Sequence, residues 1–135
     1  MPNTAKLTPY VLAILRIVTA LLFLEHATMK FFAFPAGIPG MAAPLPAIML
    51  VAGGIELVTG LLMTVGFQTR IAAFLASGEM AAAYWMAHAP QGLWPALNMG
   101  EPAIMFCFIF LYLAFAGAGA WAFDNFRTRS AVATA

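Results

Sequence analysis

The chain has 135 residues, of which 64% are hydrophobic and 8% charged, and its net charge is +1. So few charges cannot cover a water-facing surface, which excludes an ordinary soluble domain and makes the lipid bilayer the expected solvent. The near-neutral balance excludes a nucleic-acid partner, and the lone Cys107 excludes a disulfide framework, a CxxC pair and a cysteine-rich metal site.

Taken in order, residues 1–8 are a short polar leader carrying Lys6. Thr8-Pro9 signals a helix start, with Thr8 as N-cap, and the first helix is predicted over 9–33. Pro and Gly density makes residues 34–44 a loop. A second helix is predicted over 45–65 with Gly66 as its C-terminal cap. Gln68-Thr69-Arg70 is a tight connection to a third helix over 70–88, residues 89–98 form a second loop, and a fourth helix covers 99–117. Residues 121–135 are a tail in which Trp121, Phe123 and Phe126 suit a membrane interface. Each helix is near the roughly 20 residues a bilayer requires. The expected fold class is therefore all-α, a polytopic four-transmembrane-helix bundle forming one membrane domain over residues 1–135.

Lys6, Arg70, Arg127 and Arg129 share one side of this arrangement, with Lys30 alone near the other. The positive-inside rule then places both termini in the cytoplasm.

Each helix carries one glutamate: Glu25, Glu56, Glu79 and Glu101. Counting helix rise from the expected cytoplasmic ends puts Arg16, Glu56 and Glu79 roughly 10–15 Å deep, and Glu25, His26, His88 and Glu101 at about 24–28 Å. Glu56 shares a stripe with Gly53 and Gly60, and Glu79 with Ala72, Ala76 and Ala83. Small residues mark helix contacts in membranes, so both carboxylates are expected to face the bundle and to meet Arg16 there. Such a cluster serves either to fix helix register or, with two carboxylates against one guanidinium, to hold a proton that a relay or a ligand can use.

At the outer rim, Asn98-Met-Gly-Glu101 has the spacing of a capping box. His26 and His88 are expected to approach one another, with Lys30 and Glu101 nearby and Trp94 on a loop able to close over them. A mouth of this kind suits a small ligand as well as it suits a capped helix beside interfacial histidines. No histidine or carboxylate pair has the i, i+3 or i, i+4 spacing of a metal or haem site, so neither is expected. Lys30 is read as snorkelling to the headgroups.

Arg16-Ile17, Phe23-Leu-Glu-His-Ala-Thr-Met-Lys30, Gly53-Gly-Ile-Glu-Leu-Val-Thr-Gly60, Gly66-Phe-Gln-Thr-Arg70, Asn98-Met-Gly-Glu101 and Gly117-Ala-Gly-Ala-Trp-Ala-Phe-Asp124 together resemble the DoxX family of small bacterial inner-membrane proteins. The resemblance covers about residues 10–126, with Ala27 where the family usually has Gly and Ala122 where Ser is common. It implies a four-helix membrane protein linked to respiratory or thiol redox chemistry, with His26, Lys30, Glu56, Glu79, Asn98 and Glu101 at the family's recurrent polar positions.

Oxidising a quinol needs acceptors for protons and for electrons. Glu56, Glu79 or His26 could take protons, and Arg16 or His88 could hydrogen-bond a quinone oxygen. The chain has no cysteine pair, no dinucleotide fingerprint and no convincing haem ligation to take the electrons. The expected role is an accessory subunit of a respiratory or oxidative-stress complex, with a non-covalent quinone as its one expected cofactor and a protein partner or further copies of itself beside it. The alternative is a non-catalytic structural subunit or assembly factor. Orientation is testable directly: with Cys107 replaced, a cysteine at Ala36 is expected to react with an impermeant thiol reagent in intact cells and one at Ser130 to stay unlabelled. The opposite pattern reverses the topology.

Overall fold

The structure, a computed structural model, describes residues 4–126. These residues form helices α1 (Thr8–Phe32), α2 (Ala47–Val65), α3 (Thr69–Ala83) and α4 (Glu101–Ala116), with short 3-10 turns at Thr4–Lys6 and Ala89–Gln91 and a π turn at Tyr84–His88. α1 and α2 are long and apolar enough to cross a membrane, and α4 is a shorter apolar helix of 16 residues. Arg127 and Arg129, counted above for orientation, lie outside the described residues.

The helix ends fall within about two residues of those read from the sequence, a normal margin for terminal turns. Two details differ. Thr8 is the first helical residue rather than the cap, and its hydroxyl donates to the Thr4 carbonyl at 3.1 Å. The third helix keeps α winding only to Ala83, after which the Ala89 N–H reaches back five residues to the Tyr84 carbonyl. Pro90 has no N–H and its ring crowds the carbonyl four residues before it, so the last turn opens out.

α1 packs along α2, α2 against α3, and α3 along α4. The contact faces are made of small residues: Ala13, Ala20, Ala27, Ala72, Ala73 and Ala76 are all buried. Close backbone approach is what holds helices together where the surroundings are as apolar as the side chains. Gly60 shows the limit, since a Cβ there would lie 2.7 Å from Leu24 Cγ. α1 and α4 stand farther apart and meet through rings, Phe23 touching Phe106 at 5.8 Å and Phe110 at 4.8 Å between centroids. Gly66 closes α2 with φ 70°, in the left-handed conformation that glycine adopts without strain, as its place after the apolar run suggests.

Arg16 corrects the expected mid-membrane cluster: it contacts neither Glu56 nor Glu79. The guanidinium is fully buried, and its five N–H donors all reach backbone carbonyls. Nε donates to Ala118 (2.8 Å), one terminal nitrogen to Met63 and Thr64, and the other to Ala120 (3.2 Å) and Trp121 (3.0 Å). The reason is an offset between helices. α1 starts two turns beyond the end of α2, so Arg16 lies level with the final turn of α2, where carbonyls lack the N–H four residues on as a partner. The cation also suits the negative end of the α2 dipole.

The same contacts draw residues 117–126, of which 121–126 were expected in an interfacial tail, back across the bundle as a strap. The Ala120 N–H donates to the Pro9 carbonyl at 2.8 Å, and Asp124 accepts from the backbone N–H groups of Gln68 (2.8 Å) and Thr69 (3.0 Å) at the start of α3. Trp121, Phe123 and Phe126 remain exposed on its outer side. Arg70 completes this end by donating to the Ala114 and Phe115 carbonyls in the last turn of α4.

Replacing Arg16 by Met removes all five bonds at once and leaves buried carbonyls that cost about 1–3 kcal/mol each when unsatisfied. A large drop in detergent melting temperature is expected. Arg16→Lys recovers little, because an ammonium cannot span five acceptors, and adding Glu56→Gln or Glu79→Gln does not rescue the loss. Rescue by either glutamine restores the Arg16–carboxylate cluster as the explanation.

Candidate functional site

The polar centre of the bundle forms around Lys30, Glu56 and Glu79. Lys30 Nζ sits 2.5 and 2.6 Å from the two oxygens of Glu56, with both side chains almost wholly buried. Its aliphatic stem crosses Gly53, where a Cβ would come within 3.1 Å of Cδ. Lys30 therefore does not snorkel outward. Its side chain leans back along α1, as helical side chains do, and meets the one anion α2 presents on its buried stripe. A cation below the membrane surface gains more from a carboxylate than from hydrocarbon.

Glu79, on α3, lies within electrostatic reach of both Glu56 and Lys30. Both of its carboxylate oxygens are sealed from solvent and have no hydrogen-bond partner among the described residues. One cation thus faces two carboxylates, and the group is one positive charge short of neutral. Depth counting put Glu56 and Glu79 together, and they do lie within electrostatic reach, because the short α2–α3 turn keeps those two helices in register; it misplaced Arg16 because α1 is offset.

His26 lies one turn before Lys30 on α1 and feels the charges of Glu56, Lys30 and Glu25. Its ring stands edge-on to Phe106 of α4, 5.9 Å away at 89°, and is exposed along the wider α1–α4 seam. Glu25 is exposed on the same helix.

The outer rim does not assemble as expected. His26 and His88 have separate partners: His88 Nδ1 donates to the Asn98 carbonyl at 3.0 Å and its ring stacks on Tyr84. Asn98 and Glu101 form no capping box, since Gly100 is the N-cap of α4 and no side chain caps it. Asn98 is instead buried within its own loop, donating to the Gly92 carbonyl and accepting from the Gly100 N–H, both at 2.8 Å. Glu101 is exposed. The local fold of residues 92–100 satisfied Asn98 before it could reach α4. Among the described residues, no three His, Cys, Asp or Glu side chains converge as a metal-binding set.

The arrangement can hold a proton on Glu79, offer that carboxyl group one hydrogen bond to a ligand oxygen, and fix the local field through the Lys30–Glu56 pair. The pairing of Lys30 was legible in principle: between residues 9 and 117 the cations are Arg16, Lys30 and Arg70, so two buried carboxylates had few candidates.

A DoxX family model matches residues 11–89, more than half of the chain, from α1 to the turn after α3. The chain belongs to the DoxX family. A Haemophilus influenzae protein carrying the name "Uncharacterized protein" is 46% identical over 129 residues, covering 93% of this chain and 96% of its own length. No solved structure matches the chain. Lys30, Glu56, Glu79 and His26 all fall inside the matched DoxX region, whereas Asn98, Glu101 and the strap lie beyond it.

Breaking the pair on one side in this DoxX protein leaves a buried, uncompensated charge. Lys30→Met is expected to destabilise by about 3–5 kcal/mol, and the double variant Lys30→Met, Glu56→Gln to recover most of that. Thermal unfolding in detergent measures both. Equal losses in the single and double variants would mean the pair contributes nothing beyond packing.

Proposed function

We propose that this DoxX-family protein is an accessory subunit that crosses the bacterial inner membrane four times, holds the head of a lipid-soluble quinone, and works beside an electron-carrying partner. The observation that supports this reading is Glu79, a carboxyl group sealed from water with neither oxygen hydrogen-bonded among the described residues. A buried polar group in that state costs free energy until something supplies the missing bond.

The residues fit a quinone head. A protonated Glu79 donates to a carbonyl oxygen, an ionised one accepts from a hydroxyl, and the α1–α4 seam at Phe106 offers an aromatic edge that faces lipid rather than water. A bound quinone supplies carbonyl oxygens that gain protons on reduction. Glu79 holds or releases the proton at that oxygen, the Lys30–Glu56 pair fixes the field beside it, and His26 stands between this group and the seam as the next proton carrier. Electrons come from the partner, because the chain has one cysteine and no dinucleotide fingerprint.

A second reading, a non-catalytic structural subunit or assembly factor, is favoured by a different observation: Arg16 spends its donors on the backbone, and Lys30 and Glu56 satisfy each other. Most of the intramembrane charge is consumed within the fold.

Purification in mild detergent with mass spectrometry of co-purifying quinones and proteins separates the two. The wild-type chain is expected to retain quinone, and Glu79→Met, which keeps the bulk but has no donor, to retain about tenfold less, the equivalent of one lost hydrogen bond, without a fall in melting temperature. Equal quinone content in both, or none in the wild type, favours the structural reading.

A further inference from the structure

Residues 92–100 join the helical turn Ala89–Gln91 to α4, and their polarity is inverted relative to a water-facing loop. Leu93, Trp94, Leu97 and Met99 are between 67% and 82% exposed, while Asn98 is 2% exposed. No Asp, Glu, Lys or Arg occurs between Glu79 and Glu101. A loop standing in water shows the reverse, with polar side chains outside and apolar ones folded under.

The backbone of this segment is paired in part within itself. The Leu97 and Asn98 N–H groups donate to the Trp94 carbonyl at 2.9 and 3.0 Å, and the Gly100 N–H to the Pro95 carbonyl at 3.1 Å. The Asn98 side chain takes the Gly92 carbonyl and the Gly100 N–H, His88 takes the Asn98 carbonyl, and Pro95 has no N–H to satisfy.

Length supplies the third observation. α4 has 16 residues, so it spans about 24 Å against a hydrocarbon thickness of about 30 Å. If one end sits at a boundary, the other stops roughly 6 Å short of the opposite one. The segment before α4 covers that distance.

We propose that residues 92–100 form a membrane-inserted loop, lying in the leaflet away from the chain termini with the side chains of Leu93, Trp94, Leu97 and Met99 among phospholipid acyl chains and Asn98 as the polar knot that pairs part of its backbone. The occupant of this apolar face is the lipid itself. Absence of any Asp, Glu, Lys or Arg, the outward apolar side chains and the shortness of α4 all favour lipid over a protein partner. The proposal rests on the four-crossing reading given above, and the two are tested separately.

Trp94 is a built-in reporter. In a Trp85→Phe, Trp121→Phe variant reconstituted into phosphatidylcholine vesicles, Trp94 is expected to emit at short wavelength, to lose about twofold or more of its intensity to lipids brominated on the acyl chain, and to be insensitive to aqueous iodide. Adding Asn98→Ala is expected to shift the emission to longer wavelength and admit iodide. Cysteines at Gln91 and Ser130, in a Cys107-free chain, report whether α4 crosses. Labelling from opposite faces together with iodide-quenched, bromolipid-insensitive Trp94 overturns the insertion while leaving the crossing intact. Labelling from one face overturns the crossing, and bromolipid quenching then still supports an inserted loop.

Discussion

A guanidinium whose five donors are all spent on backbone carbonyls holds this bundle together. Arg16 reaches the end of α2 through Met63 and Thr64 and the strap through Ala118, Ala120 and Trp121. A buried cation normally demands an anion. Here the demand is met by carbonyl dipoles that a helix end and irregular backbone leave under-used, so one side chain solves the desolvation problem of two segments along with its own. Asp124, within electrostatic reach of Arg16, returns along the strap to accept from the N–H groups at the start of α3, and Arg70 serves the end of α4 in the same manner. Helix termini that would otherwise open to water at this face are tied to each other.

That division of labour leaves the other charges free for a different use. With Arg16 committed elsewhere, the bundle centre holds Lys30, Glu56 and Glu79, one cation against two carboxylates. Lys30 and Glu56 satisfy one another, and Glu79 is left with sealed oxygens that have no hydrogen-bond partner among the described residues. A purely structural network would pair every member, since a half-satisfied buried group weakens the fold. The wider α1–α4 spacing, bridged by Phe23, Phe106 and Phe110 and bordered by His26, puts a lipid-facing seam beside this group. Membership in the DoxX family covers the residues of this centre, and the Haemophilus influenzae relative extends the similarity over most of the chain.

Much of this was legible from the sequence because it follows from local physics. Composition named the lipid solvent, Pro and Gly placed the connections, Gly66 announced its cap, and the small residues around Glu56 and Glu79 pointed those carboxylates inward. The errors have one common origin. Depth was counted from each helix's own end, which assumes that all ends lie in one plane. α1 overhangs α2 by two turns, so Arg16 dropped to the rim and Lys30, expected among headgroups, arrived opposite Glu56. The capping box failed for a related reason: its spacing was present, but residues 92–100 folded into a knot that consumed Asn98 before α4 began.

The sequence by itself determined that the chain is helical, that it belongs in lipid, that four apolar segments alternate with Pro/Gly-rich connections, and which carboxylates lie on packed faces. Each of these depends on side chains within a turn or two of one another. Only the tertiary structure decided which charge meets which, that the strap is part of the bundle, and that Glu79 is the carboxylate left without a hydrogen-bond partner among the described residues. Those outcomes depend on axial offsets between helices, and an offset of two turns moves a side chain about 11 Å, more than any side chain can reach, without altering the local pattern that sequence reading detects.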